Sequence, residues 1–368
     1  MWRYSRIDEL DLDRYRPAPA VHEGRALADL GVGAPDLQLV NGYATASSPT
    51  VSALGAASDI EPSDDAFVDL NLAFAPEPQA IEIAPGATLT EPIVIRHTIE
   101  GQDVVAFPQV VVHAGRGSQA VVIEVFESDE ATTACSVPLT RLRVEQGAHL
   151  TFLTVQQLGQ MTWQLANQIS SVAQDASLVS AALVLGGDYA RLRTDCRLEG
   201  RGAAGDLVAA YFAEEQQHLD FRTFQDHRAP DTTSNLLFKG AVGGHSRSVY
   251  TGLIRVRKDA RGTNAFQTNR NLKLSEHAWA ESVPNLEIEN NDVRCSHAST
   301  VGPIDDESRF YLESRGVPPA VAERLIVAGF FDEVLARVPV PALREHVRAG
   351  IAVKLDHAAA EGALGGRG

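Results

Sequence analysis

Between about residue 90 and residue 260 the chain alternates short β-rich runs with turn residues. No stretch there shows the spacing of an amphipathic helix. Ile93-Val-Ile95, Gln109-Val-Val-Val112, Val121-Val-Ile-Glu-Val-Phe126, Leu150-Thr-Phe-Leu-Thr-Val155 and Leu178-Val-Ser-Ala-Ala-Leu-Val-Leu185 are strand signals by their β-branched and aromatic content. A turn residue followed by a strand recurs at Gly86, Gly117, Gly147, Asp175, Gly205 and Ser234, at separations of 31, 30, 28, 30 and 29 residues. A period near 30 with no helix inside it predicts a mainly β chain built as a β-solenoid, in which each coil buries its inward face against the next.

The flanks read differently. Residues 1 to about 40 carry mixed charge and short apolar groups, such as Arg25-Ala-Leu-Ala-Asp-Leu30, compatible with short helices around the turn Arg16-Pro-Ala-Pro19. From Ala44 to Asp65 small and polar residues dominate, the composition of a linker. Beyond Thr300 the pattern turns helical. Asp305 is a good N-cap, Phe310, Tyr311 and Leu312 are apolar, and Gly316 followed by Pro318-Pro319 ends one helix and starts another. Val321, Leu325, Ala328, Phe331, Val334, Leu335 and Val338 share one broad apolar face of the second helix. Such a face must be covered, either by the solenoid or by a separate subunit. The expected organisation is an N-terminal helical region and linker over 1–64, a β-solenoid core over 65–299 and a C-terminal helical region over 300–368. The Ala-rich residues 358–368 are expected to fray.

Composition narrows the function classes. The 368 residues carry a formal net charge of -16, which argues against nucleic acid or an anionic membrane as partner and for other proteins. No apolar run approaches the length needed to span a bilayer and the start lacks a signal-peptide core, so a cytoplasmic location is expected. Three widely spaced cysteines, Cys135, Cys196 and Cys295, neither build a disulfide framework nor supply four thiolates for a cluster. Gly240-Ala-Val-Gly-Gly-His-Ser246 lacks the lysine of a phosphate loop and reads as a turn, which excludes nucleotide hydrolysis by this chain. His218-Leu-Asp220 and Asp226-His227-Arg228 pair carboxylates with imidazoles, but in a solenoid such residues serve more often as hydrogen-bonders at turns than as a base or metal ligands.

One local word stands out. In Val293-Arg-Cys-Ser-His-Ala-Ser-Thr-Val-Gly302 a thiol and an imidazole lie two positions apart, so in an extended segment Cys295 and His297 point the same way. Both are iron ligands by type. The alternative is that Cys295 is a small buried hydrophobe and His297 a cap or core hydrogen-bonder, since metal sites ordinarily need three or four ligands.

Further words surround it: Gln217-His-Leu-Asp220, His227-Arg-Ala-Pro-Asp-Thr-Thr-Ser-Asn-Leu-Leu-Phe-Lys-Gly240, Ser246-Arg-Ser-Val-Tyr-Thr-Gly-Leu-Ile-Arg-Val256, Thr268-Asn-Arg-Asn-Leu-Lys-Leu-Ser275, Pro284-Asn-Leu-Glu-Ile-Glu289 and Phe310-Tyr-Leu-Glu-Ser-Arg-Gly316. Together with Asp292-Val-Arg-Cys-Ser-His297 they resemble the SufB/SufD family of iron-sulfur cluster assembly scaffolds, densely from about Gln217 to Val338 and only in character before that. The resemblance implies a right-handed parallel β-helix between helical ends. It also implies a complex of SufB, SufD and the ATPase SufC, with a nascent cluster formed between SufB and SufD. SufB chains are usually longer and carry Glu-His-Glu where this chain has Ser296-His297-Ala298, so the SufD branch is the nearer one, although Ala298 replaces a common glycine. On this resemblance His297 and Cys295 are the expected iron or cluster ligands, sharing a transient cluster with SufB, and the isolated chain binds none. Pairing is expected through the last coils near Leu286 to Val293, with SufB or, alone, with a second copy, and SufC is expected on the C-terminal helices. A SufB-type paralogue and a purely structural SufC-docking subunit are the alternatives. A carbohydrate-active β-helix protein is the remote one.

Overall fold

The computed structural model describes residues 3–21, 30–53 and 64–360. Two parallel sheets face one another in a right-handed solenoid, and each coil adds one strand to each sheet. Sheet one runs from Gln79–Ile83 through Gln109–Ala114 and its successors to Trp279–Ile288. Sheet two runs from Ile93–Ile99 through Gln119–Ser128 to Val293–Gly302. Leu, Ile, Val, Phe and Ala from both sheets fill the space between them, including Ile95, Val122, Phe152, Leu178, Leu207 and Phe221.

The repeat is set at one corner. Gly86, Gly117, Gly147, Asp175, Gly202, Asp231 and Gly262 all adopt positive φ, between 55° and 72°. Each donates its N–H to a carbonyl of the next coil, as Gly117 does to Gln146 (2.9 Å), Gly147 to Gln174 (3.0 Å) and Asp175 to Arg201 (2.9 Å). Glycine occupies most of these places because it has no Cβ to clash in the left-handed region, and aspartate tolerates it better than most residues. The first four are the turn residues expected from the period. Gly205 and Ser234 are not corners: both lie inside strands, Ala204–Ala213 and Thr233–Val242. Gly205 has a different reason to be glycine, since a Cβ there would come within 2.8 Å of Cys196 Sγ.

Sheet two is buried on both faces, which explains strands such as Ser177–Val184 that read as near-continuous apolar runs. Its outer face carries three helices in sequence, α2 (Asp306–Glu313), α3 (Pro319–Leu335) and α4 (Pro341–Ala360), the last two packed on it. The first begins as its sequence predicts, with the Asp305 carboxylate accepting from Ser308 N at 2.8 Å. The apolar stripe of α3 divides between two fates. Val327, Phe331, Val334, Leu335 and Val338 are buried against Val155, Leu183, Val208 and Phe212 of sheet two, whereas Val321 and Leu325 stay exposed with Phe310 and Tyr311 of α2. A polar clasp fixes the far end of α4: Lys354 Nζ donates to Glu214 Oε1 (2.7 Å) and Gln217 Oε1 (3.1 Å).

The two ends of the stack differ. At the first end, Leu37–Val40 extends sheet two in parallel, then Tyr43–Ser47 returns antiparallel to it, and Val51–Ala53 lies antiparallel on Gln79–Ile83. The linker expected over 44–65 therefore contains two cap strands, and Asp65 begins a short helix, α1 (Ala66–Phe74), instead of the solenoid. Small polar residues fit there because cap strands are held by backbone hydrogen bonds. Around Arg16-Pro-Ala-Pro19 the chain forms short 3-10 turns and a strand on Val104–Ala106. The helix expected over Arg25–Leu30 lies outside the described residues but for Leu30. So do residues 361–368, while α4 continues to Ala360. The last solenoid strand runs to Gly302, past the expected boundary at 299. No helix among the described residues is long and apolar enough to cross a membrane.

The corner ladder yields a stability expectation. Space is open around Gly147, where an added Cβ meets nothing within 4 Å, so Gly147→Val should destabilise the fold mainly through its left-handed φ, by about 1–2 kcal/mol. Urea unfolding followed by far-UV circular dichroism measures this, and an unchanged midpoint would contradict it.

Candidate functional site

At the second end of the stack, among the described residues, Trp279–Ile288 and Val293–Gly302 are edge strands that each pair with one strand neighbour in their sheet. On Val293–Gly302 the in-phase residues continue columns that are buried one coil earlier. Cys295 aligns with Ala265, His297 with Gln267, Ser299 with Asn269 and Val301 with Asn271, and all four of those partners are buried. Cys295 and His297 therefore follow the inward-facing phase, as the strand alternation predicts.

Their surroundings differ. Cys295 is half-buried against a small apolar cluster of Ile254, Val256, Ala260 and Ala265, and burial pushes its thiol above the usual cysteine value. His297 is exposed. An inward-phase imidazole is open to solvent because no further coil among the described residues lies over it. Cys295 and His297 are thus two donor side chains on one edge strand. Among the described residues no group of three or more His, Cys, Asp or Glu is placed to hold a metal ion. Phe266, Ile288 and Val301 add exposed apolar surface to the same last coils. Phe266 is the outward-phase neighbour of Ser296, a position that strand alternation alone identifies.

The other two histidine words fall elsewhere. His227 is buried, with Nδ1 2.8 Å from Thr232 Oγ1 and Nε2 2.9 Å from Ser234 Oγ, and burial pushes it down to about 4. It ties a turn as a neutral ring. Asp226 accepts from Arg228 (2.7 Å) and from Arg257 (2.8 Å), and Asp220 accepts from Tyr189 (3.0 Å) and Arg222 (2.9 Å). These are the structural hydrogen-bonders expected of them. His218 is not, for neither ring nitrogen has a partner among the described residues.

Residues 97–330 match the family described as SUF system FeS cluster assembly, SufBD core domain. The chain belongs to the SufB/SufD family. An iron-sulfur cluster assembly SufBD family protein of Mycobacterium tuberculosis is 38% identical over 276 residues, covering 73% of this chain and 68% of that protein. The iron-sulfur cluster assembly protein SufD of Escherichia coli is 29% identical over 295 residues, covering 79% of this chain and 70% of its own length. A SufBD family protein of Staphylococcus epidermidis is 23% identical over 284 residues, 77% of this chain and 61% of that one. The matched region of this SufB/SufD-family chain holds Cys295, His297 and both bare edges.

Thiol accessibility checks the geometry. Cys135 and Cys196 are fully buried with thiols pushed up to about 12. Iodoacetamide should therefore label only Cys295 in the folded chain. Because burial raises the Cys295 value as well, labelling should be slow at neutral pH and quicken as pH rises toward it. Peptide mass spectrometry reads both, and labelling of Cys135 in native protein would contradict the placement.

Proposed function

We propose that this chain is the SufD-type subunit of a SufB–SufC–SufD scaffold, in which His297 and Cys295 supply ligands from the bare coil end to a nascent iron-sulfur cluster completed by SufB. The observation that carries the reading is the pair of in-phase donors on the last strand of sheet two, over which no further coil lies among the described residues. Thiolate and imidazole are iron ligands by type, and a site with only two of them is completed from outside. The cluster is cargo in this reading, and the chain is a scaffold whose ATPase activity is supplied by SufC. The missing acidic neighbours of His297 and the similarity to the SufD protein of Escherichia coli favour the SufD branch over SufB.

Edge chemistry supports Val293–Gly302 as the strand that meets SufB. Pro284 lacks an N–H to offer and Glu281 and Glu287 charge the sheet-one strand, all features that blunt an edge. From Cys295 to Gly302 the sheet-two strand carries no proline and no formal charge apart from the titratable His297 and Cys295. The pairing surface thus moves a few residues beyond Leu286 to Val293. The exposed residues Phe310, Tyr311, Val321, Leu325 and Ala328 on α2 and α3 form the surface proposed for SufC, because Phe331, Val334, Leu335 and Val338 of the same stripe are consumed in packing on sheet two.

Two measurements test these assignments. His297→Ala should still form the three-component complex yet fail to mature clusters in cells, read by iron and sulfide content. Full cluster yield would make the strand a purely structural edge. Leu325→Glu should abolish SufC pull-down with the melting curve intact, whereas Phe331→Glu should unfold the helical layer. Undiminished SufC binding by Leu325→Glu would remove that face from the interface.

A further inference from the structure

We propose that a cleft on the outer flank of sheet one, beneath the N-terminal segment, is a binding site for a phosphate-type oxyanion, free or carried on a small organic molecule. It lies on a different face from the edge that bears His297.

The cleft encloses about 660 Å³, the size range of small-molecule sites. Its floor is the start of three neighbouring strands, where His218, Arg247 and Trp279 stand in register. Its wall is the two turns before them, where His245 and His277 stack with ring centroids 4.8 Å apart and planes 3° from parallel. Its roof is the N-terminal segment. Arg6 reaches down to Asp188 (2.6 Å), Arg3 O lies 3.4 Å from Arg222 Nη2, and the Tyr4 ring rests 5.6 Å from that of Trp279.

What remains uncommitted decides the ligand. Both carboxylates lining the cleft are engaged: Glu9 with Arg6, and Asp188 with Arg6 and with Trp163 Nε1 (2.8 Å). Arg247 has no ion-pair partner among the described residues, so a full guanidinium fork faces the cleft beside the imidazoles. His218 is buried, at 1% exposed, with both ring nitrogens unpaired. Leaving such a group unsatisfied is costly, and buried polar side chains in native proteins nearly always have partners. Burial pushes His218 down to about 4, so at neutral pH the ring is uncharged and offers one donor and one acceptor. An unpaired guanidinium, a buried imidazole donor and two further imidazoles form a donor-rich set suited to an anionic oxygen cluster, and among the described residues no three His, Cys, Asp or Glu are placed together to hold a metal ion. Trp279 and the stacked imidazoles supply flat surface for an organic group attached to that anion. The charged groups acting on His218 are Asp220, Arg6, Arg247 and Glu9, and Asp220 is itself engaged by Tyr189 and Arg222.

Isothermal titration calorimetry of the full chain with inorganic phosphate and with phenyl phosphate tests this. Saturable binding of one or both is expected, weakened about tenfold or more in Arg247→Gln, whose exposed position keeps the fold intact. His218→Gln should weaken binding as well, and circular dichroism verifies that this buried variant folds. Tighter binding of phenyl phosphate assigns the site to phosphate esters, and equal binding assigns it to free phosphate; either upholds the proposal. No saturable heat with either probe, or an affinity unchanged by Arg247→Gln, would overturn it. So would stoichiometric zinc binding lost in His245→Ala without phosphate binding, which would make the cleft a metal centre.

Discussion

A solenoid of this kind stands or falls on one backbone constraint: at the same corner of every coil, the chain must turn through positive φ and pass its N–H to the next coil. Seven successive corners meet it. Because the corner fixes where each strand begins, it fixes the phase of every column of side chains that follows. Sheet one, sheet two and the core between them are all consequences of that phase. So is the position of Cys295 and His297 on the inward side, since the last of these corners, Gly262, donates to Asp292 O (2.7 Å) and so sets the register of Val293–Gly302, where a slip of one residue would turn both outward.

The asymmetry of the ends follows from what each coil lacks. A coil buries its inward face only against neighbours, so the first and last need outside help. At the first end the chain supplies its own help with antiparallel cap strands. At the second no cap strand stands among the described residues, and there the polar donors, the exposed Phe266 and Val301 and an unblunted edge gather. The helical layer shows the same economy of surface: one side of α3 completes sheet two, and the residues it cannot bury stand together with those of α2.

Much of this was legible in the sequence because periodicity is a local property. The 30-residue spacing gives the solenoid, and alternation along 293–302 puts Cys295 and His297 in phase. The departures share a cause. Gly205 and Ser234 sit three residues beyond their corners because a strand glycine and a corner glycine look alike until Cys196 is seen above one of them. The strands at Tyr43–Ser47 and Val51–Ala53 carry weak propensity and are held by pairing partners distant in sequence. The split of the α3 stripe depends on where sheet two ends beneath it. Which inward residue is exposed depends only on which coil is last, and no local pattern encodes that.

The clasp of Lys354 on Glu214 and Gln217 gives the molecule a long-range circuit. Glu214 and Gln217 belong to the turn that leads into His218, the floor of the N-terminal cleft. One short loop thus ties the far end of α4 to the strand that floors the cleft, so a change that breaks the clasp reaches the cleft through the backbone of a single turn as well as loosening α4 on sheet two.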